Sequence, residues 1–209
     1  MEQQYRDLLV KQSRQMKLEF SDQQLDKLMQ YHALLVKWNK AFNLTAVRSP
    51  LDMVTRHLTD SLSVLPHIDV ERLIDVGSGP GLPGIPLAIC RPDLSITLLD
   101  SNIKKSRFQF QAKAELGLDN VEVIHQRVEK FIPEQRFDGV ISRAFASLQD
   151  MLHWTEHLCS EQGVFLAMKG MYPAEEIEQL PEKIELRQSI RLDVPDPEGE
   201  RHLLILGRT

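Results

Sequence analysis

The chain has 209 residues and a mass of 24.0 kDa, enough for one globular domain with a terminal extension. Its composition, 42% hydrophobic and 26% charged residues, excludes a disordered, collagen-like or disulfide-rich protein. The net charge of −5 hides a basic amino-terminal end, because residues 1–50 hold eight Lys or Arg against five Asp or Glu. Such an excess fits an RNA-binding arm and a solvated helix face equally well.

The sequence also bears on where the protein works. Apolar runs such as Gly163 to Met168 are only a few residues long, whereas a membrane span needs about 20, and residues 1–31 lack the apolar core of a secretory signal. We therefore expect a cytoplasmic protein without a membrane partner. Cys90 and Cys159 lie 69 positions apart without CxxC spacing, so both are predicted to be buried thiols, and no metal is expected.

The first part of the chain is predicted to be helical. Ser21 and Gln24 form a capping-box pattern, and apolar residues then recur at three- and four-residue steps, at Leu25, Leu28, Met29, His32, Leu35 and Val36. A second helix start is indicated by Ser49-Pro50, followed by a helical pattern up to Pro66. These patterns predict an amino-terminal helical cap over residues 1–65.

From Arg72 onwards the pattern changes to short strands that alternate with helices. Strands are predicted at Leu73–Val76, Ser95–Leu99, Val121–Ile124, Gly139–Ser142 and Gly163–Met168. Two further strands, Ile184–Val194 and His202–Leu206, flank the turn-rich Asp196-Pro197-Glu198-Gly199 and indicate a terminal antiparallel hairpin. The alternation predicts a Rossmann-like α/β domain over residues 66–209, with a mostly parallel seven-stranded sheet.

A glycine-rich loop from Asp75 to Gly84 follows the first strand and opens the next helix. Glycines permit positive φ and let a ligand touch the backbone, so the loop is predicted to bind a cofactor. Its second half, Gly79 to Gly84, formally matches the GxGxxG pattern of dinucleotide sites, which leaves an NAD-dependent oxidoreductase as an alternative. Pro80 and Pro83 argue against that alternative, because each removes a backbone donor that a pyrophosphate needs.

Two acidic residues lie at strand ends next to this loop. Asp75 is at the tip of the first strand, and Asp100 ends the second, where its carboxylate can accept hydrogen bonds from both ribose hydroxyls. The pattern resembles S-adenosylmethionine-dependent methyltransferases of the Rossmann-like class. That resemblance implies that Gly77, Gly79 and Gly81 contact the methionine part of S-adenosylmethionine, with Asp75 near its amino group and Asp100 on its ribose.

Several separated blocks carry a closer resemblance. They are Trp38–Thr45, Arg56-His57 with Asp60-Ser61, Gly77–Pro86, Leu99–Ser101 with Lys104, and Phe137–Ala146. The blocks resemble the ribosomal RNA small subunit methyltransferase G family, also called glucose-inhibited division protein B, and the resemblance covers nearly the whole chain. It implies methyl transfer from S-adenosylmethionine to N7 of a specific guanine in 16S, or small-subunit, ribosomal RNA.

The same resemblance extends the cofactor site to Gly77, Leu82, Val128, Glu129 and Arg143, with Val128 and Glu129 at the adenine end. Guanine N7 carries an in-plane lone pair and no proton, so positioning matters more than a general base. Arg143, at a strand end beside the cofactor, is a candidate catalytic residue that can reach guanine O6 or a phosphate. Lys169 ends the fifth strand on the same sheet edge and is the second candidate.

Candidate RNA contacts are less specific. The basic candidates are Arg48, Arg56, Lys104, Lys105, Arg107, Lys169 and Arg201, and Asn39 and Phe42 are candidates for base contacts. The expected partner is small-subunit ribosomal RNA or its ribonucleoprotein particle, with no obligate protein partner, and the protein is expected to be a monomer. A non-catalytic S-adenosylmethionine-binding protein that docks on ribosomes stays open as a further alternative.

Overall fold

The amino-terminal part of the chain is helical in the computed structural model, which describes residues 2–143, 145–195 and 199–209. Helix α1 spans Glu2–Gln15 and α2 spans Asp22–Phe42. The predicted capping box is confirmed, because the Ser21 hydroxyl accepts from the Gln24 N–H while the Gln24 side chain accepts from the Ser21 N–H. Asn43 caps the carboxyl end of α2, and its φ of 54° is the left-handed conformation typical of this position.

The predicted second helix is present but changes its hydrogen bonding midway. Helix α3, Pro50–Met53, is capped by Ser49 and continues as a π-helical turn over Val54–Thr59, which leads into α4, Asp60–Leu62. The Asp60 N–H donates to the Thr55 carbonyl five residues earlier, which defines the π turn. A 3₁₀ turn at Leu65–His67 leads to the sheet. We call α1 to α4, with the π turn, the amino-terminal helices.

The remaining chain forms one seven-stranded sheet. Its strands are β1 Arg72–Val76, β2 Ser95–Asp100, β3 Val121–His125, β4 Phe137–Ser142, β5 Cys159–Lys169, β6 Ile184–Arg191 and β7 His202–Arg208. The order is β3-β2-β1-β4-β5-β7-β6, with the first five strands parallel and β7 antiparallel to both neighbours. The Rossmann-like fold and the terminal hairpin are therefore confirmed, while the predicted turn at Asp196–Glu198 lies outside the described residues.

Four helices lie on the connections: α5 Gly84–Cys90, α6 Ile103–Leu116, α7 Leu148–Thr155 and α8 Ala174–Glu178. The chain order reverses at β1, because β2 lies on one side of it and β4 on the other. In open α/β sheets, ligands bind outside the carboxyl ends of the strands at such a reversal. The ends of β1, β2 and β4 therefore mark the expected site.

Buried side chains form two clusters. The first joins the amino-terminal helices to α5, α6 and the sheet through residues such as Tyr31, Leu58 and Phe108, and the second packs α7 against the sheet. Cys90 and Cys159 are buried free thiols, as predicted, and burial raises the pKa of both. No helix among the described residues is long and apolar enough to cross a membrane.

Candidate functional site

The glycine loop begins where β1 ends and folds over the end of β2. Gly77, Gly79 and Gly81 have φ values of 70°, 59° and 90°, a region that residues with a Cβ rarely adopt. The Gly77 N–H donates to the Leu99 carbonyl at 2.8 Å. Three glycines are needed because the chain turns sharply over the strand ends.

Several backbone N–H groups of this loop already donate to acceptors within the protein. The Gly79 N–H donates to Asp100 Oδ2, and the Gly81 and Leu82 N–H groups both donate to the Ser78 carbonyl, each at 2.8 Å. Pro80 and Pro83 have no N–H. A dinucleotide pyrophosphate needs free backbone donors at this position, so the geometry disfavours the NAD alternative.

Asp75 is a buried acid at the base of the loop, 1% exposed. Its Oδ2 accepts from the Gly84 N–H at 2.8 Å, whereas Oδ1 has no hydrogen-bond partner among the described residues. Burial raises the pKa of the carboxyl to about 7, against the opposing effects of the Gly84 bond and the Arg143 guanidinium. A buried acceptor without a hydrogen bond destabilises the fold unless a ligand donates to it. The ammonium group of an amino acid is a donor that fits this position.

Asp100 has a structural role that is not evident from the sequence. Its Oδ2 accepts from the Gly79 N–H and its Oδ1 from the Asn102 N–H, each at 2.8 Å. The carboxylate therefore fastens the glycine loop to the start of α6. Each oxygen has two lone pairs, so both retain acceptor capacity for hydroxyl groups.

Two residues that were not predicted from the sequence hold the loop through hydrogen bonds from α2 and α6. Gln109 of α6 donates through Nε2 to Ser78 Oγ at 2.8 Å and to the Gly79 carbonyl at 2.6 Å. The Tyr31 hydroxyl of α2 donates to the Pro80 carbonyl at 2.8 Å. Both side chains are fully buried. The one feature of the sequence that could have identified these residues is a polar group on an otherwise apolar helix face.

The end of β3 continues the same edge of the sheet. Its last residue, His125, is in register with Asp100, and a 3₁₀ turn at Val128–Lys130 follows. Val128 is partly buried against the second core cluster, and the Glu129 side chain is 38% exposed. The two predicted adenine-end residues therefore present an apolar group and an accessible carboxylate beyond the end of β3.

Arg143 follows β4 and contacts the amino-terminal helices. Its Nη1 donates to Asp60 Oδ2 at 2.9 Å and lies 3.4 Å from the Arg56 carbonyl, while Arg201 Nε donates to Asp60 Oδ1 at 3.1 Å. Asp60 is 5% exposed. Nearby, burial and Arg143 lower the pKa of His57 to about 4, so this imidazole is neutral at neutral pH.

The structure brings the two predicted catalytic residues together. Arg143 and Lys169 line one cavity of about 160 Å³, together with Asp60, Met168, Gly170, Leu192, Arg201 and His202. Lys169 Nζ donates to the Ala146 carbonyl and to Glu176 Oε2, both at 3.0 Å. The Glu176 contact, which compensates the lysine charge, is not evident from the sequence.

The predicted RNA contacts differ in how exposed they are. Asn39 is 3% exposed, accepts from the Thr45 N–H and donates to the Val47 carbonyl, so it holds its own loop and is poorly placed to contact a base. Phe42 is 44% exposed, and Lys104 and Arg107 are exposed at the start of α6. The exposed residues can meet RNA.

Comparison with known proteins gives consistent matches. A family model described as rRNA small subunit methyltransferase G matches residues 24–204. Proteins named ribosomal RNA small subunit methyltransferase G are similar over most of both chains. The Serratia proteamaculans protein is 59% identical over 186 residues, covering 88% of this chain and 90% of its own. The Pseudomonas syringae pv. tomato protein is 55% identical over 197 residues, covering 94% and 93%.

Solved structures show similarity of fold alone. A ribosomal protein L11 methylase from Lactobacillus delbrueckii subsp. bulgaricus has a TM-score of 0.56 at 17% identity, covering 72% of this chain and 77% of its own. A SAM-dependent methyltransferase from Thiobacillus denitrificans, in complex with S-adenosyl-L-homocysteine, has a TM-score of 0.54 at 10% identity, covering 72% and 90%.

Proposed function

The chain belongs to the ribosomal RNA small subunit methyltransferase G family, and we propose how its own residues serve the reaction. It is an S-adenosylmethionine-dependent enzyme that methylates N7 of a guanine in 16S ribosomal RNA. The observation that carries the proposed site is the buried Asp75 Oδ1 atom, which has no partner within the described part of the chain and lies beside a three-glycine turn.

We assign the cofactor to the carboxyl edge of the sheet. The residues that would hold it are Asp75, Gly77, Gly79, Gly81, Leu82, Asp100, Val128, Glu129 and Arg143. Asp75 accepts from the ammonium group, Asp100 accepts from the ribose hydroxyls, and the apolar Leu82 and Val128 enclose the rest. When bound, S-adenosylmethionine supplies a methyl group on a positively charged sulfur.

Arg143 is proposed to position the guanine. Because N7 has a free lone pair and no proton to lose, the protein has to align the base and exclude water without a general base. A guanidinium carries five N–H donors, so Arg143 can contact Asp60 and still donate to guanine O6 or a phosphate. Lys169 lines the same cavity and is proposed as the second cation of the site. Its attraction for a phosphate is weakened by the ion pair with Glu176.

The proposal extends to the organisation of the protein. We assign residues 1–65 to a helical cap and residues 66–209 to the methyltransferase domain, which share one core cluster. We also propose that the protein is a monomer without an obligate protein partner. We place it in the cytoplasm because its substrate is ribosomal RNA.

Cofactor binding tests the assignment directly. Calorimetry with S-adenosylmethionine is expected to show affinity at least about 10-fold weaker for Asp100→Asn than for the wild type, because a buried acceptor is lost. Asp119→Asn, the same change at an exposed turn before β3, is the control and should bind normally. Equal affinities for all three proteins, or preferential binding of NADH, would refute the assigned site.

A further inference from the structure

The glycine loop is held by two buried side chains that come from different parts of the chain. We propose that Tyr31 and Gln109 are positioning residues, which fix the loop in the one conformation that binds S-adenosylmethionine. The inference rests on the proposed function, since it concerns the same loop. Neither residue needs to touch the cofactor, because each acts through the backbone of Gly79 or Pro80.

The Gln109 amide is oriented by the loop alone. Its Nε2 is shared between Ser78 Oγ and the Gly79 carbonyl, while Oε1 is buried without a partner among the described residues. Turning the amide over would place Oε1 against the Gly79 carbonyl oxygen and lose that bond, because a carbonyl cannot donate, whereas the Ser78 hydroxyl can serve either orientation. Burying this amide costs desolvation free energy, and the two hydrogen bonds to the loop are what offset that cost. A side chain that only filled space would not need a polar group here.

Tyr31 fixes the next residue along the loop. Pro80 has no N–H, so its carbonyl is the only backbone group through which it can be hydrogen-bonded, and the Tyr31 hydroxyl occupies that carbonyl at 2.8 Å. The Tyr31 ring lies 6.0 Å from the Phe108 ring, one residue before Gln109 on α6. Helices α2 and α6 therefore pack against each other and donate to consecutive loop carbonyls, those of Pro80 and Gly79.

The need for two such contacts follows from the loop sequence. Gly79 and Gly81 have more backbone freedom than other residues, so a loop containing both samples many conformations unless it is restrained. When only a fraction of molecules has the competent loop, the apparent dissociation constant of the cofactor rises by the inverse of that fraction. Weakening the restraint should therefore lower cofactor affinity and leave the chemical step intact.

Three variants separate this role from a general loss of stability. Tyr31→Phe removes only the hydroxyl, and Gln109→Met keeps the side-chain volume without the donors. Tyr5→Phe makes the same change on α1, where the ring lies against His32, and serves as the matched control. Dissociation constants for S-adenosylmethionine are measured by calorimetry well below the unfolding temperature, with kcat and KM from methyl transfer to 16S RNA.

We expect Tyr31→Phe and Gln109→Met each to raise Kd and KM for S-adenosylmethionine about 3- to 10-fold, the range for one or two neutral hydrogen bonds. Their kcat at saturating cofactor should stay within about 2-fold of the wild type, and Tyr5→Phe should match the wild type. A fall in kcat with unchanged KM means fewer folded molecules and overturns the inference, as does an unchanged Kd in Tyr31→Phe. Should Gln109→Met not fold, Tyr31→Phe alone decides.

Failure of the proposed function looks different. In that case the wild-type protein itself shows no measurable affinity for S-adenosylmethionine, whatever the variants do. A wild type that binds the cofactor normally, together with variants that bind equally well, rejects the positioning role and leaves the methyltransferase site in place.

Discussion

The Asp60 carboxylate accepts a hydrogen bond from Arg143 at 2.9 Å across 83 residues of sequence. Its second oxygen accepts from Arg201, so one nearly buried acid of the amino-terminal helices holds guanidinium groups that follow β4 and precede β7. The site at the carboxyl edge of the sheet therefore depends on helices that precede the sheet in the chain.

Replacing Asp60 by Asn should weaken this connection. The Asn side chain replaces one acceptor oxygen by an NH2 group, so one of the two arginines faces a donor in place of its acceptor. We expect a loss of about 1–3 kcal/mol in the free energy of unfolding, measured with urea, and slower methyl transfer. The control Asp119→Asn lies at an exposed turn and should change neither. Wild-type stability and activity in Asp60→Asn would show that the Asp60 contacts are incidental.

Arg143 should matter for turnover. Arg143→Ala removes the donors proposed for the guanine or its phosphate, and we expect kcat to fall about 10- to 100-fold, the range for a hydrogen bond from a charged group. Arg143→Lys keeps the charge without the planar fork and should recover only part of the activity. If Arg143→Ala leaves both methyl transfer and cofactor affinity unchanged, the assignment of this residue is wrong.

Asp75 makes the stability of the cofactor-free protein depend on pH. Its pKa is raised from 3.8 to about 7, so between these values the folded state binds more protons at this group than the unfolded state. The contribution of this group is thus fully present below about pH 4 and is lost as pH rises through 7. Urea unfolding of Asp75→Asn should show a smaller decline over this window than the wild type. Parallel profiles would contradict the shift.

The same carboxyl should make cofactor binding depend on pH in the opposite direction. An ammonium group is attracted by the ionised form of Asp75, so affinity for S-adenosylmethionine should rise between about pH 6 and pH 8. Asp75→Asn should bind more weakly and lose this rise. Calorimetry at the two pH values checks both points, and a flat profile for the wild type would exclude Asp75 as the ammonium partner.

RNA binding should depend on salt through the start of α6. Lys104 is exposed there, beyond the carboxyl end of β2, whereas Lys183 precedes β6 at the opposite edge of the sheet. Lys104→Ala should therefore reduce the slope of log K against log salt by about 0.7, the value for one phosphate contact on a single strand. Lys183→Ala removes an equal charge and should keep the wild-type slope. Equal slopes in both variants would exclude Lys104 from the interface.

The sequence was sufficient to predict the sheet and the local signals of the site. Each of the seven strands was predicted, because alternating short apolar runs and turn residues are local patterns, and the acids at the ends of β1 and β2 follow from them. The Ser21 capping box was visible for the same reason.

Contacts between segments that are distant in the sequence could not be predicted from local patterns. Tyr31 on Pro80, Gln109 on Gly79 and Glu176 on Lys169 each join segments that come together only when the chain folds. Asn39 shows the reverse case, since a polar residue directly after Trp38 suggested a base contact, whereas its amide holds the Thr45–Val47 backbone. Local pattern does not reveal which partner satisfies a buried polar group.

Methyl transfer itself tests the central claim most directly. Labelled S-adenosylmethionine is incubated with unmodified 16S RNA, both free and as ribonucleoprotein particles, and the labelled nucleoside is identified by mass spectrometry. We expect 7-methylguanosine as the labelled product. Label in another nucleoside, or no label from a protein that binds the cofactor, would contradict it and favour a different methyl acceptor or a ribosome-docking protein without turnover.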